Sequence, residues 1–323
     1  MLGTAFTELV GCRVPIQLAA MGGVGTSELA AAVSDAGGLG MTSMVMAPAG
    51  QVAAELDRLA TMTSGTVGIN FLMPFLDEGS AEVAASRCRV VEFFYGNPVA
   101  GLVDRMHEGG ALVCWQVGSV GEAHSAVDAG CDLVVAQGNE AGGHVRGRVA
   151  LLPLLDAVLE AVDVPVVAAG GIGTARGVAA VLAAGAAGAR VGTRFVASTE
   201  SDAHPDYVEA ILAADGGDTT LTEAFGVAWP HAPHRVLRSC VDAAAALEDD
   251  VAGQTTTADD VVTPVLRFVP SPPTRGTTGS IEAMALYAGE GVGLVRSVEP
   301  AGDIVRQLVE GAAALLGPSW ASH

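Results

Sequence analysis

A chain of 323 residues with half of them apolar and a mean hydropathy of +0.44 has material for one large α/β domain with an appendage, or for two ordinary domains. Its formal charge of −20 argues against nucleic acid or an anionic membrane as partner, since both need a basic face. All sixteen cationic side chains are arginines, which excludes Schiff-base chemistry and the P-loop lysine and leaves backbone N–H groups, hydroxyls or arginine to hold any phosphate.

In chain order, apolar runs at 15–21, 38–42, 67–73, 90–95, 111–117, 132–137, 165–170 and 188–192 predict eight strands. Helix-period segments lie between them, among them 26–36, 49–61, 120–129, 151–162 and 176–184, and Gly37, Gly130 and Gly185 stand where helix C-caps belong. Strands with nearly continuous apolar interiors alternating with helices predict an α/β protein, a (β/α)8 TIM barrel, with a doubly wound open sheet as the competing architecture. Past Thr193 the rhythm breaks, and proline and glycine crowd residues 203–280. The reading is a barrel domain over 1–202, a smaller, mainly helical inserted cap over 203–280 facing the substrate, and C-terminal helices over 281–323 completing the barrel, with helical pattern at 279–289 and 300–316.

No uncharged apolar run reaches the roughly 20 residues of a membrane span, and no basic-then-apolar leader opens the chain, so a cytoplasmic protein is expected. Five cysteines without a C-x-x-C pair fit reduced, buried thiols.

Three successive strands end in glycine. V-V-A-Q-G-N-E-A-G-G-H (134–144) delivers His144 from a glycine loop, P-V-V-A-A-G-G-I-G (165–173) follows, and G-A-R-V-G-T-R-F (188–195) comes third. Such loops after the last strands of a barrel suit a phosphate, with backbone N–H groups at Gly170, Gly171 and Gly192 and the Thr193 hydroxyl as donors; the plainer reading is tight βα turns. Gln137 offers a donor and an acceptor to a heterocycle edge, and Gly142 and Gly143 allow backbone to approach a ligand. Asn70, inside an apolar strand, must find partners, in a neighbouring strand or in a ligand. G-G-V-G-T-S-E (22–28) lacks the third glycine of a dinucleotide fingerprint and reads better as a turn with Thr26 or Ser27 capping a helix. Of seven histidines, only His144 follows a glycine loop at a strand end, where proton transfer is its natural task. His231 and His234 form an H-x-x-H pair without a third ligand nearby, and no metal site is expected.

These motifs, together with P-I-Q-L-A-A-M-G-G-V, G-I-N-F-L-M-P and R-V-G-T-R-F-V-A-S-T-E-S followed by A-H-P-D-Y, make the chain similar to the nitronate monooxygenase (2-nitropropane dioxygenase) family of FMN-dependent barrels. Enoyl-ACP reductases and quinone reductases are relatives of that family. The resemblance implies FMN, with Ala20 and Met21 against the flavin ring, Asn70, Gln137, Gly142 and Gly143 holding ring and ribityl chain, and Gly170, Gly171, Arg190, Gly192 and Thr193 around the phosphate. His144 matches the catalytic histidine. Gln116 stands where some relatives place a lysine, and Arg190 where many have glutamine. The implied reaction is oxidation of alkyl nitronates with O2 to a carbonyl compound and nitrite. An NAD(P)H-dependent reductase of an enoyl thioester or quinone is the alternative, and a flavin-binding protein with a degenerate site is a third. The implied partners are a small-molecule substrate, O2 and, for the alternative, NAD(P)H, with a homodimer as candidate assembly.

Overall fold

Residues 2–257 and 260–317 are described by the computed structural model. One sheet holds eight parallel strands: β1 (Ile16–Leu18), β2 (Gly40–Ser43), β3 (Val67–Leu72), β4 (Val90–Phe94), β5 (Leu112–Val117), β6 (Leu133–Gln137), β7 (Val166–Ala169) and β8 (Gly188–Val191). Each pairs with the next from β2 to β8, and β8 returns to β1 with Arg190 opposite Gln17. The last seam closes at Leu39, whose carbonyl accepts from the Leu18 N–H at 3.0 Å and whose N–H donates to Ile16 O at 2.9 Å. The sheet is therefore a (β/α)8 barrel, as expected, and the open doubly wound sheet is excluded.

Helix α1 (Ala5–Val10) lies at the N-terminal end, where fully buried Phe6 occupies the space a side chain at Gly188 would need. Helices α2 (Ser27–Asp35), α3 (Ala49–Met62), α4 (Glu78–Ala85), α5 (Ala100–Glu108), α6 (Val120–Asp128), α7 (Leu151–Ala161) and α8 (Ala175–Ala183) follow β1 to β7 in turn. Thr26 caps α2, its hydroxyl accepting from the Leu29 N–H at 3.0 Å. Gly37, Gly130 and Gly185 take φ of +104°, +98° and +103° just past their helices, a conformation that costs a side-chain-bearing residue energy.

After β8, the one-turn helix α9 (Thr193–Val196) leads into the inserted segment. That segment holds α10 (Pro205–Ala213), β9 (Thr219–Thr222), β10 (His234–Leu237), α11 (Arg238–Ala246), β11 (Val251–Thr256), β12 (Val262–Leu266) and β13 (Thr277–Gly279). It is a mixed α/β cap and not the mainly helical one expected. Threonine and valine in V-A-G-Q-T-T and V-T-P-V-L favour extended backbone, and Pro264 is accommodated because β12 is an edge strand. Residues 279–289 likewise do not form an α-helix. They hold a 3-10 turn, Ile281–Ala283, and run into a second one, Glu290–Leu294, as a strap over the barrel mouth. Helix α12 (Ala301–Leu316) alone completes the barrel, packing between α8 and α2; residues 318–323 of the expected C-terminal helices lie outside the described residues.

Among the described residues there are two large apolar cores, and a small third cluster of Ala252, Ile281 and Met284 under the cap. The larger fills the barrel and the interface with its helices, and the second, with Tyr207, Ile211, Phe225, Val236 and Leu286, joins cap to strap. No helix among the described residues is long and apolar enough to cross a membrane.

Candidate active site

A cavity of about 560 Å³ opens at the C-terminal mouth of the barrel. Every residue that the family resemblance brought forward lines it: Ala20 and Met21 after β1, Asn70 on β3, Gln116 on β5, Gln137 on β6, Gly142, Gly143 and His144 in the following loop, Gly170 and Gly171 after β7, and Arg190, Gly192 and Thr193 at β8. Eight strand ends around one axis bring together positions as far apart in sequence as Ala20 and Thr193.

The floor carries charge. Glu92, at the centre of β4 and wholly buried, accepts from Asn70 Nδ2 at 2.8 Å and from Gln17 Nε2 at 3.2 Å, and is in contact with the Arg190 guanidinium. Arg190 Nη1 also donates to Gln116 Oε1 at 2.6 Å. Burial pushes the Arg190 guanidinium down to about 9, which leaves the cation charged at neutral pH beside Glu92. The expected place of Arg190 beside a phosphate is corrected: its side chain turns inward to Glu92 and Gln116, because a buried guanidinium needs a carboxylate more than a rim position. Glu92 was missed from sequence, although a lone carboxylate inside V-V-E-F-F was its signal.

Backbone forms the opposite side. Gly170 and Gly171 have φ of +121° and +65°, and the N–H groups of Gly171 and Gly173 donate to no other protein atom among the described residues. Successive free N–H groups in such a turn form a concavity for an anion. The Thr193 hydroxyl accepts from the Gly289 N–H at 3.1 Å, so it serves the strap. The strap explains Gly142 differently from the sequence reading and accounts for Gly291 as well. A Cβ on Gly142 would stand 2.5 Å from Gly289 N, so the close approach it permits is to protein backbone; a Cβ on Gly291 would meet Gly171 O.

The wall is aromatic. Gly143–His144 pairs antiparallel with β10, with His144 opposite His234, and Gln137 Nε2 donates to His144 O at 3.0 Å. The imidazole stacks on Trp229 with ring centroids 4.0 Å apart, and Tyr95, His234 and Tyr287 surround it at 5.2–5.9 Å. Desolvation, with a smaller contribution from His234, lowers the His144 pKa to about 3, so the ring is neutral at pH 7. His144 Nε2, Tyr287 Oη and Gln137 Oε1 are buried without a hydrogen-bond partner. An unpaired buried group costs roughly 1–3 kcal/mol, so three at one cavity mark a place built for a ligand. Sequence reasoning did not pick out Trp229 and Tyr287; only the fold brings 229 and 287 to residue 144.

The H-x-x-H pair separates. His231 is exposed, while His234 is buried with Nδ1 donating to Ala232 O at 2.8 Å and Nε2 accepting from the Phe225 N–H at 3.2 Å. Among the described residues, no group of three or more histidine, cysteine or acidic side chains is arranged to hold a metal. All five thiols are free and buried. Both cations that line the cavity are already matched by carboxylates, Arg190 by Glu92 and Arg194 by Glu299 at 2.9 Å.

Comparison with known proteins agrees with this geometry. The nitronate monooxygenase family model matches residues 4–89 and 78–311. The (3aS,4S,5R,7aS)-5-hydroxy-7a-methyl-1-oxo-octahydro-1H-indene-4-carboxyl-CoA dehydrogenase of Rhodococcus jostii is 36% identical over 240 residues, spanning 74% of this chain and 66% of that protein. FabK from Thermotoga maritima superposes with a TM-score of 0.81 at 29% identity, covering 98% of both chains. The nitroalkane oxidase of Streptomyces ansochromogenes superposes with a TM-score of 0.76 at 31% identity, covering 97% of this chain and all of that one. A barrel with this mouth, matched along nearly its whole length, makes the chain an oxidoreductase that belongs to the nitronate monooxygenase family.

Proposed function

We propose that the cavity binds FMN and that the enzyme oxidises alkyl nitronates, such as propionate 3-nitronate, with O2 to a carbonyl compound and nitrite. The residues fit the cofactor. The free N–H groups of Gly171 and Gly173, with the backbone at Gly192, offer a cradle for a phosphate without any lysine. Unpartnered Gln137 Oε1 offers an acceptor to a ring N–H, and Asn70 and Gln116 reach the cavity from the floor. When bound, FMN supplies the electron acceptor that no side chain here can be.

One observation carries the choice of substrate: His144 is desolvated and neutral. A nitronate is already deprotonated at carbon, so it requires no base, and a neutral imidazole can orient it by donating a hydrogen bond to oxygen. Reduction of an enoyl thioester ends in a proton transfer to carbon, for which a ring with pKa about 3 is a poor reservoir at pH 7. The matched cavity cations point the same way, since among the described residues they leave no free positive charge in the lining for a polyanionic thioester or dinucleotide. Trp229 stacks on the imidazole and Tyr95 meets it edge-on, an apolar setting that strengthens any hydrogen bond the ring makes.

A second reading is favoured by the carboxyl-CoA dehydrogenase among the relatives: a reaction on an acyl thioester, or NAD(P)H-dependent reduction. Oxygen uptake by FMN-loaded protein with propionate 3-nitronate, beside anaerobic bleaching by NADH or NADPH with crotonyl thioester and quinone, separates the two. Fast oxygen uptake with slow bleaching is expected. Rapid bleaching without nitronate consumption would overturn the proposal in favour of the reductase.

A further inference from the structure

Tyr287 has no assigned task, and its setting gives it one. Its backbone is pinned on two sides, by a bridge to Val236 and by the Tyr207 hydroxyl, which donates to Tyr287 O at 2.5 Å. Its ring lies between two histidines, edge-on to His234 at 5.9 Å and tilted against His144 at 5.8 Å. The hydroxyl is buried and unpartnered, and the residue lines the cavity. His234 cannot satisfy it, since both of its ring nitrogens are engaged by backbone at Ala232 and Phe225. His144 Nε2, on the neighbouring ring, is unpartnered as well.

We propose that Tyr287 Oη and His144 Nε2 form a two-donor clamp for the paired oxygens of the substrate, making Tyr287 a second catalytic residue and a planar oxyanion the preferred ligand. This rests on the reading of the cavity as a nitronate site, but the clamp is a statement about oxygen recognition and can be tested apart from turnover. Two neutral donors suit a delocalised anion spread over two oxygens, where each oxygen accepts one hydrogen bond. Burial pushes the phenol well above its ordinary range, so it keeps its proton and remains a donor throughout the working pH range.

The probe is propionate, a carboxylate with the shape of a nitronate and no carbon acid to oxidise. Its binding to FMN-loaded wild-type, Tyr287→Phe, His144→Phe and doubly substituted protein is followed by the perturbation of the flavin absorption band. Loss of one hydrogen bond to a charged ligand should weaken propionate roughly tenfold in Tyr287→Phe, with FMN retention and thermal midpoint unchanged. The two substitutions should combine less than additively, because both donors act on one ligand. Wild-type protein that binds no propionate, or Tyr287→Phe protein that binds it as tightly as wild type, overturns the clamp. If Tyr287→Phe weakens propionate while wild type fails to consume nitronates, the clamp stands and the nitronate reaction falls. Nitronate turnover in wild type with propionate affinity and KM for nitronate untouched by Tyr287→Phe has the reverse meaning.

Discussion

The floor and the wall of the cavity solve opposite problems. On the floor, Glu92, Arg190, Asn70, Gln17 and Gln116 carry full charges or amides and each charge meets its opposite, with Arg190 Nε and Gln17 Oε1 left as the unpartnered remainder of that network. On the wall, His144 and Tyr287 are uncharged and leave polar atoms without partners. A buried charge cannot wait for a ligand, because its desolvation is too costly, whereas a buried neutral donor can. The difference teaches which polar groups hold the barrel together and which are held ready.

The largest effect should come from breaking the floor. Glu92→Gln leaves the Arg190 cation buried without its counter-charge and should destabilise the fold by about 3–5 kcal/mol in urea unfolding at pH 7. Adding Arg190→Met should recover much of that loss, and a double variant as unstable as the single one would show that the pair is not the source. On the wall, His144→Ala should lower nitronate turnover by about 10²–10³-fold while FMN stays bound and urea stability changes far less. Turnover within a few fold of wild type would return His144 to a packing role.

Gly291→Ala sharpens the comparison from the strap, which carries Tyr287 on one side and packs on the Gly171 turn on the other. Its new Cβ would press on Gly171 O, so the strap must shift, at a cost of about 1–3 kcal/mol. FMN should be lost more readily on gel filtration; retention equal to wild type would show that the strap does not support the turn at Gly171. The smallest effect is a pH dependence from the wall. The His144 pKa is about 3 in the folded chain against an ordinary 6.5, so the unfolded chain takes up a proton that the folded one refuses. Stability is therefore lost as pH falls through 6.5 and levels off below about 3, with about 1.4 kcal/mol gone at pH 5.5. In His144→Phe this part of the profile should flatten; an unchanged slope in urea melts at pH 7.5 and 5.5 would place the acid sensitivity elsewhere.

The barrel was legible because its strands announce themselves twice, by apolar runs and by the glycines that end them, as at Gly170 and Gly192. The ring of cavity residues was legible for the same reason, since strand ends in a barrel share one face. What sequence could not supply was pairing across the mouth. Arg190 read as a phosphate ligand until Glu92, on a strand halfway round the barrel, stood beside it. Gly142 read as a ligand contact, and its neighbour is Gly289. Trp229 and Tyr287 come from stretches where proline and glycine hide any period, so only tertiary contact assigns them. The cap was misjudged because short β-branched segments such as 251–256 gain their structure from cross-strand partners that no local pattern reveals.

Helix α12 enters the groove between α2 and α8 only after the chain has passed through the entire cap and strap. During synthesis, all eight strands and seven of the eight surrounding helices emerge before it, so the apolar surface that α12 covers stays open to water until the last helix is made. A protease added to stalled chains of increasing length should find that surface accessible until the final helix has left the exit tunnel.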